Sequence, residues 1–316
     1  MTRLKFELEY QIYDFLFGFR KLLPFTGYPL HKNEGYKPFF IIGAGRSGNT
    51  LLRRILQAHT EIHIPPETYV LGKTIRAFRR NNHLRWEDLV HLTLSIFEHH
   101  SEFETFEIEP LQKLSEALIS TPKEKRSLAF ILNNFYLHHA SCHHISFNRW
   151  GDKTPMNTFC LERIKSVFPD AQFIHIIRDG CDVVSSYLRA GIYSSVQDAA
   201  MRWEKSIKLA SSFCHKHSKC CIGVRYEDLV FYPESIVMEI CEFLEIDFQE
   251  EMLALHVTSG SLGDVQRYSH HSNVLKPITA ANIGKGRILM SKKEQEELQK
   301  LIGSTLDKLG YRSCMS

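Results

Sequence analysis

Residues Phe39 to Leu52 read FFIIGAGRSGNTLL, an apolar run, a glycine-rich turn and then a helical register. Such an arrangement aims a helix N-terminus and free backbone N–H groups at the space above the turn, where a phosphate is the natural occupant. Gly43, Gly45 and Gly48 permit the backbone angles and close approach of a cradle. Ser47 and Thr50 add hydroxyls, and Arg46 adds a planar cationic fork suited to phosphate or sulfate oxygens. The spacing Gly43-x4-Gly48-Asn49-Thr50 meets the phosphate-loop pattern G-x4-G-K-[ST] except at the lysine, which is Asn49. The cation has moved inside the loop, to Arg46, which counts against triphosphate chemistry.

Two further segments carry similar chemistry. In IIRDGCDVVSS (176–186), Arg178 ends an apolar run and Ser186 lies on the helix after it, so both can face one anion. A surface ion pair of Arg178 with Asp179 or Asp182 is the competing reading. VRYEDLV (224–230), with Pro233 behind it, is another strand-to-loop transition.

The elements that must position these groups alternate. Strand character lies at 39–42, 172–177 (QFIHII) and 221–225 (CIGVR), and helix patterns at 182–188, 196–215, 233–244 and 292–309. That order predicts an α/β fold, a central parallel sheet flanked by helices, with ligands at the carboxyl ends of the strands. Residues 84–142 are dominated by amphipathic helix patterns and predict a helical, substrate-covering insertion. Its last helix is expected to begin at Thr121 as N-cap, with Pro122 at the first helical position and Glu124 completing a capping box. Residues 4–23 predict a helix rich in aromatic residues. The whole of 1–316 is expected to form one domain, with an N-terminal helical arm over 1–37.

The bulk composition is that of a protein with ample core, 43% hydrophobic and 24% charged. A net charge of +3 and a pI near 8.3 fit a local basic pocket better than a nucleic-acid-binding face. No run of apolar residues is long enough to span a membrane, and the charged N-terminal stretch lacks the pattern of a secretory signal. Eight cysteines without CxxC pairs predict reduced, mostly buried thiols and a cytoplasmic setting. The 17 histidines include several doublets but no HExxH, and no metal is expected.

Taken together, in this order, GAGRSGNTLL, IIRDGCDVVSS and VRYEDLVFYP resemble the sulfotransferases that use 3′-phosphoadenosine 5′-phosphosulfate (PAPS). LLRRILQAHTEIHIPPET, WGDKTPMN and SNVLKPI are similar to segments of the tyrosylprotein sulfotransferases and their bacterial relatives. The resemblance implies that Arg46, Ser47, Gly48, Asn49, Thr50 and Leu51 bind the 5′-phosphosulfate. It implies that Arg178 and Ser186 hold the 3′-phosphate, that Tyr226 lies near the nucleotide, and that Lys153 and Lys276 approach the transferring group. Glu67, in PPET, matches that branch's general base; His63 and His175 are alternative bases. Sulfuryl transfer is an in-line displacement on a compact anion, so its catalyst positions groups and neutralises charge.

The chain departs from that branch in places. Tyr69 stands where an arginine comes after the Glu-Thr pair, removing a cation that helps to read a peptide acceptor. Gly286 stands where relatives often carry an aromatic residue. The expected activity is therefore transfer from PAPS to a hydroxyl or amine of a small-molecule acceptor in secondary metabolism. Protein tyrosine is the first alternative. A P-loop-type kinase, with Asp179 as its acid, or a non-catalytic nucleotide-binding module are the others. A homodimer stays open.

Overall fold

The computed structural model describes residues 27–254 and 278–315. The predicted helix at 4–23 and Lys276 lie outside the described residues. Five strands form one sheet: β1 (Phe39–Ile42), β2 (Ile62–His63), β3 (Arg149–Lys153), β4 (Gln172–Ile177) and β5 (Cys221–Arg225), in the order β2-β3-β1-β4-β5. Every pairing is parallel. β1 is central, and Phe39, Phe40, Ile41 and Ile42 are all fully buried, which is why it reads as an unbroken apolar run. Ile41 lies opposite Lys153 on one side and Ile174 on the other, so the exits of β1, β3 and β4 share one edge.

Helices cover both faces. They are α1 (Asn49–Gln57), α2 (Leu71–Asn81), α3 (Trp86–Glu98), α4 (Gln112–Ile119), α5 (Leu128–Cys142) and α6 (Leu161–Val167). Then come α7 (Gly180–Arg189), α8 (Val196–Lys216), α9 (Tyr226–Phe231), α10 (Pro233–Leu244), α11 (Lys285–Leu289) and α12 (Lys292–Lys308). The period-two alternation of β1 sorts its side chains between the two layers. Phe40 and Ile42 join a core with α2 to α6, whereas Phe39 and Ile41 join one with α1 and α10. A third core, around Trp203, binds α7, α8 and α12 together.

Three expectations need correction. The helix ending at Cys142 begins at Leu128, and its N-cap is Ser127, whose hydroxyl accepts from the Phe130 N–H at 3.0 Å. Residues 123–125 instead form one 3-10 turn, so the Thr121–Glu124 pattern marks a turn before the helix. Strands β2 and β3 were not anticipated. Finally, Cys181 and Cys314, with Cα atoms 6.1 Å apart, are joined in a disulfide. These two cysteines are therefore not the reduced thiols expected.

Candidate active site

The site begins at the β1 exit. Gly43 (φ +141°) passes so close to β4 that a Cβ there would lie 2.5 Å from the Ile176 carbonyl oxygen. Its N–H donates to the Thr158 hydroxyl at 2.9 Å, and that hydroxyl donates back to the Gly43 carbonyl at 3.1 Å. Gly48 (φ +97°) is the N-cap of α1 and presses on the Tyr226 ring, where any Cβ would intrude to 2.4 Å. No side chain caps α1, so its first N–H groups face the loop's concavity. Asn49 spends its amide inside the loop, donating to the Ala44 carbonyl at 2.7 Å. What it can offer an anion is thus its backbone N–H, and the same holds for Leu51, whose side chain packs into the core with α1. Ser47 is fully buried, and its hydroxyl has no partner among the described residues.

On the β4–β5 side, Arg46 Nε donates to the Ser186 hydroxyl at 3.0 Å. Arg178 donates to the carbonyls of Arg46 (3.0 Å) and Asn282 (2.7 Å). Its guanidinium lies 4.3 Å from the centre of the Tyr226 ring, with the Asp182 carboxylate 3.6 Å away. Arg178 therefore pairs with Asp182 and at the same time stands against the loop at Arg46. Burial and the neighbouring Arg178 guanidinium hold Arg46 below its ordinary range. Two crowded cations are relieved by a shared anion. The Nε of Arg178, like the Ser47 hydroxyl, is buried without a hydrogen-bond partner among the described residues. These orphaned donors and the glycine cradle fit a bound phosphate group.

On the β2–β3 side, Lys153 ends β3 fully buried and donates to Glu67 Oε1. It also points at the Thr50 hydroxyl, 3.4 Å away on the first turn of α1. Glu67 is anchored through its neighbour Thr68. The Thr68 N–H donates to the Thr154 hydroxyl at 2.9 Å, and the Thr68 hydroxyl donates to Asp152 at 2.8 Å. Asp152 also accepts from Tyr136 (2.7 Å) and Asn157 (2.8 Å). Burial raises the Asp152 pKa, while its hydrogen bonds oppose that shift.

The arrangement thus brings Arg46 to Leu51, Arg178, Ser186 and Tyr226 to one edge with Glu67 and Lys153. His63 is a poor base: its Nε2 pairs with His139 Nδ1 at 2.9 Å, and burial, with Arg53 and His143, pushes it down to about 3. His175 is buried inside β4. Asp179 caps α7 by accepting from the Cys181 N–H at 2.9 Å and pairs with Arg287 at 2.5 Å. It is committed to structure, which weakens the kinase alternative. Sequence reasoning missed the C-terminal segment, where the N–H groups of Gly284 and Gly286 donate to Asp182 at 2.8 and 2.7 Å. A Cβ at Gly286 would lie 2.2 Å from the Cys181 carbonyl oxygen, so this approach requires glycine. The absent aromatic at that position was the one available signal.

Comparison with known proteins finds sulfotransferases. A model described as "Sulfotransferase family" matches residues 38–250. Protein-tyrosine sulfotransferase 1 of Danio rerio is 26% identical over 296 residues, covering 90% of this chain and 74% of that protein. Protein-tyrosine sulfotransferase A of Caenorhabditis elegans is 26% identical, covering 79% of this chain; the chain spans 62% of its length. The sulfotransferase domain from the Synechococcus PCC 7002 olefin synthase superposes with a TM-score of 0.57 at 21% identity, over 86% of this chain and 98% of that one. That from the curacin biosynthetic pathway gives 0.54 at 20% identity, over 88% and 98%.

Proposed function

Because this chain is an enzyme of the sulfotransferase family, we propose that it moves the sulfuryl group of PAPS to a hydroxyl or amine of a small-molecule acceptor. One observation carries the reading. A buried cation and a nearly buried carboxylate, Lys153 and Glu67, meet beside Thr50 at the head of the loop helix. The bound donor supplies the sulfuryl group and leaves as adenosine 3′,5′-bisphosphate. Arg46, Ser47 and the N–H groups of residues 48–51 cradle its 5′ end. Arg178 and Ser186 hold its 3′-phosphate, with the Tyr226 ring beneath Arg178; Lys276 is assigned to the same end of the donor as Lys153.

Glu67 takes the acceptor's proton as the acceptor oxygen or nitrogen bonds to sulfur and the bond to the leaving phosphate breaks. Protonation removes the charge that pairs Glu67 with Lys153. The ammonium is thereby released to the leaving oxygen at the moment negative charge builds there, with Arg46 and the helix N-terminus beside it. The helices of 84–142 cover the acceptor within a single functional unit.

Titration calorimetry tests the donor site. Adenosine 3′,5′-bisphosphate is expected to bind wild type at micromolar strength, and Arg46→Ala or Arg178→Ala to abolish binding. No binding to wild type would refute the proposal. An acceptor screen with labelled PAPS, read by mass spectrometry, then identifies the acceptor. A tyrosine peptide belongs in that screen, since the curated relatives above are protein-tyrosine sulfotransferases.

A further inference from the structure

Five described residues other than glycine have positive φ. Glu107, His144 and Glu245 lie at or just beyond the ends of helical turns, where the left-handed conformation is an ordinary way to end. The other two are Arg46 (φ +63°), in the phosphate loop, and Tyr69 (φ +55°). Tyr69 is the middle of a three-residue turn closed by the Val70 N–H donating to the Thr68 carbonyl at 2.6 Å. That is an expensive place for a large aromatic residue, and such strain persists only where the surroundings enforce it. Here the enforcement is visible. Glu67 is tied to Lys153, and Thr68 is tied twice to the end of β3, through Thr154 and Asp152.

The strained turn has one further consequence. Tyr69, 36% exposed, stacks on His100 with ring centroids 5.4 Å apart and planes 13° from parallel. His100 stands just beyond the C-terminus of α3, inside the helical insertion, and its Nδ1 accepts from the Glu102 N–H at 3.2 Å. That hydrogen bond and the stacking together hold the imidazole ring in place. A half-exposed aromatic face, two residues from Glu67, is thus built from the glutamate's own loop and clamped by the insertion.

We propose that the Tyr69–His100 pair is a specificity-determining platform for the acceptor. A planar ring or conjugated system lies against it while the attached hydroxyl or amine reaches Glu67. The proposal rests on the sulfuryl-transfer reading above. Tyr69 and His100 position the acceptor and take no part in bond making. Removing the aromatic face removes binding that is equal in ground and transition states, so its signature is a rise in KM with kcat retained.

The test compares kcat and KM at saturating PAPS for three acceptors: a free phenol, a tyrosine peptide and cyclohexanol. Tyr69→Ala is expected to raise KM about three- to tenfold for the planar acceptors. It should leave cyclohexanol kinetics and bisphosphate affinity within about twofold. Tyr69→Phe should behave as wild type, and His100→Ala should show the same selective rise as Tyr69→Ala, smaller in size. Tyr69→Gly, which suits the positive φ, should keep or raise the melting temperature yet lose the preference for planar acceptors. That outcome would separate recognition from structure. The phenol and peptide arms distinguish a free from a protein-borne ring. Equal losses for planar and saturated acceptors, or a fall in kcat alone, would overturn the proposal while leaving sulfuryl transfer intact. Failure of wild type to bind the bisphosphate would overturn both.

Discussion

The Lys153–Glu67 pair makes the sharpest claim on stability and on activity together. Lys153 is wholly excluded from solvent and Glu67 is 10% exposed, so water screens their attraction little. Lys153→Met leaves the carboxylate buried without this cation, and breaking a buried pair in this way costs about 3–5 kcal/mol. Glu67→Gln leaves a buried ammonium facing a neutral amide and should cost a similar amount. The double variant leaves no unmatched charge. It should be more stable than the sum of the single changes predicts by about 2–4 kcal/mol. Urea unfolding of the four proteins, fitted with a common slope, measures that coupling energy. Activity should behave differently. Glu67→Gln removes the proposed proton acceptor and should lower kcat by about a hundredfold or more, while bisphosphate affinity holds. In the double variant part of the summed stability loss is recovered and activity is not. Additivity within about 0.5 kcal/mol would show that the two charges do not depend on one another. A Glu67→Gln enzyme with unchanged kcat would remove Glu67 from the reaction.

Three further outcomes are expected. Burial pushes His63 down to about 3 and His139 to about 2, so the folded protein resists protonation where the unfolded chain titrates near 6.5. The associated stability is fully present above about pH 6.5 and declines toward about pH 3. Between about pH 7.5 and 5 unfolding free energy should fall by about 2 kcal/mol per histidine, and a urea midpoint indifferent to pH would contradict this. Reducing the Cys181–Cys314 bridge, or Cys314→Ser, should cost about 2–4 kcal/mol, because the bridge closes a loop spanning 133 positions. Equal denaturation midpoints with and without a dithiol would refute that. Gly286→Ala should weaken bisphosphate binding at least tenfold in calorimetry without unfolding the protein, by prising Asp182 and α7 from the C-terminal segment; unchanged affinity would refute it.

The segments most legible in the sequence were those governed by local rules. Strands β1, β4 and β5 are apolar runs closed by glycine or charge, and they fall where the pattern put them. The loop at 43–48 was readable because its glycines have no other use at a strand-to-helix turn. Strand β3 was not, since WGDK reads as a polar turn. Asp152 and Lys153 become strand residues only because Tyr136, Thr68, Asn157 and Glu67 are waiting for them, most of them across long separations. β2 is two residues long and leaves no periodicity to detect. Thr121 and Glu124 matched a helix start that belongs to Ser127, where a hydrogen bond and not a letter pattern decides. The disulfide could not be seen for the same reason as β3: its partners meet only after α7, α8 and α12 have packed.

The strand order has a consequence of its own. With β1 at the centre, the residues assigned to the nucleotide's 3′ end hang from β4 and β5, on one side. Glu67, Lys153 and the path into the insertion hang from β2 and β3, on the other. At the edge that carries the candidate site, the loop after β1 lies between the two sides. Under the proposed function, the β2–β3 flank can therefore be rebuilt for a different acceptor while the opposite flank keeps its hold on the donor.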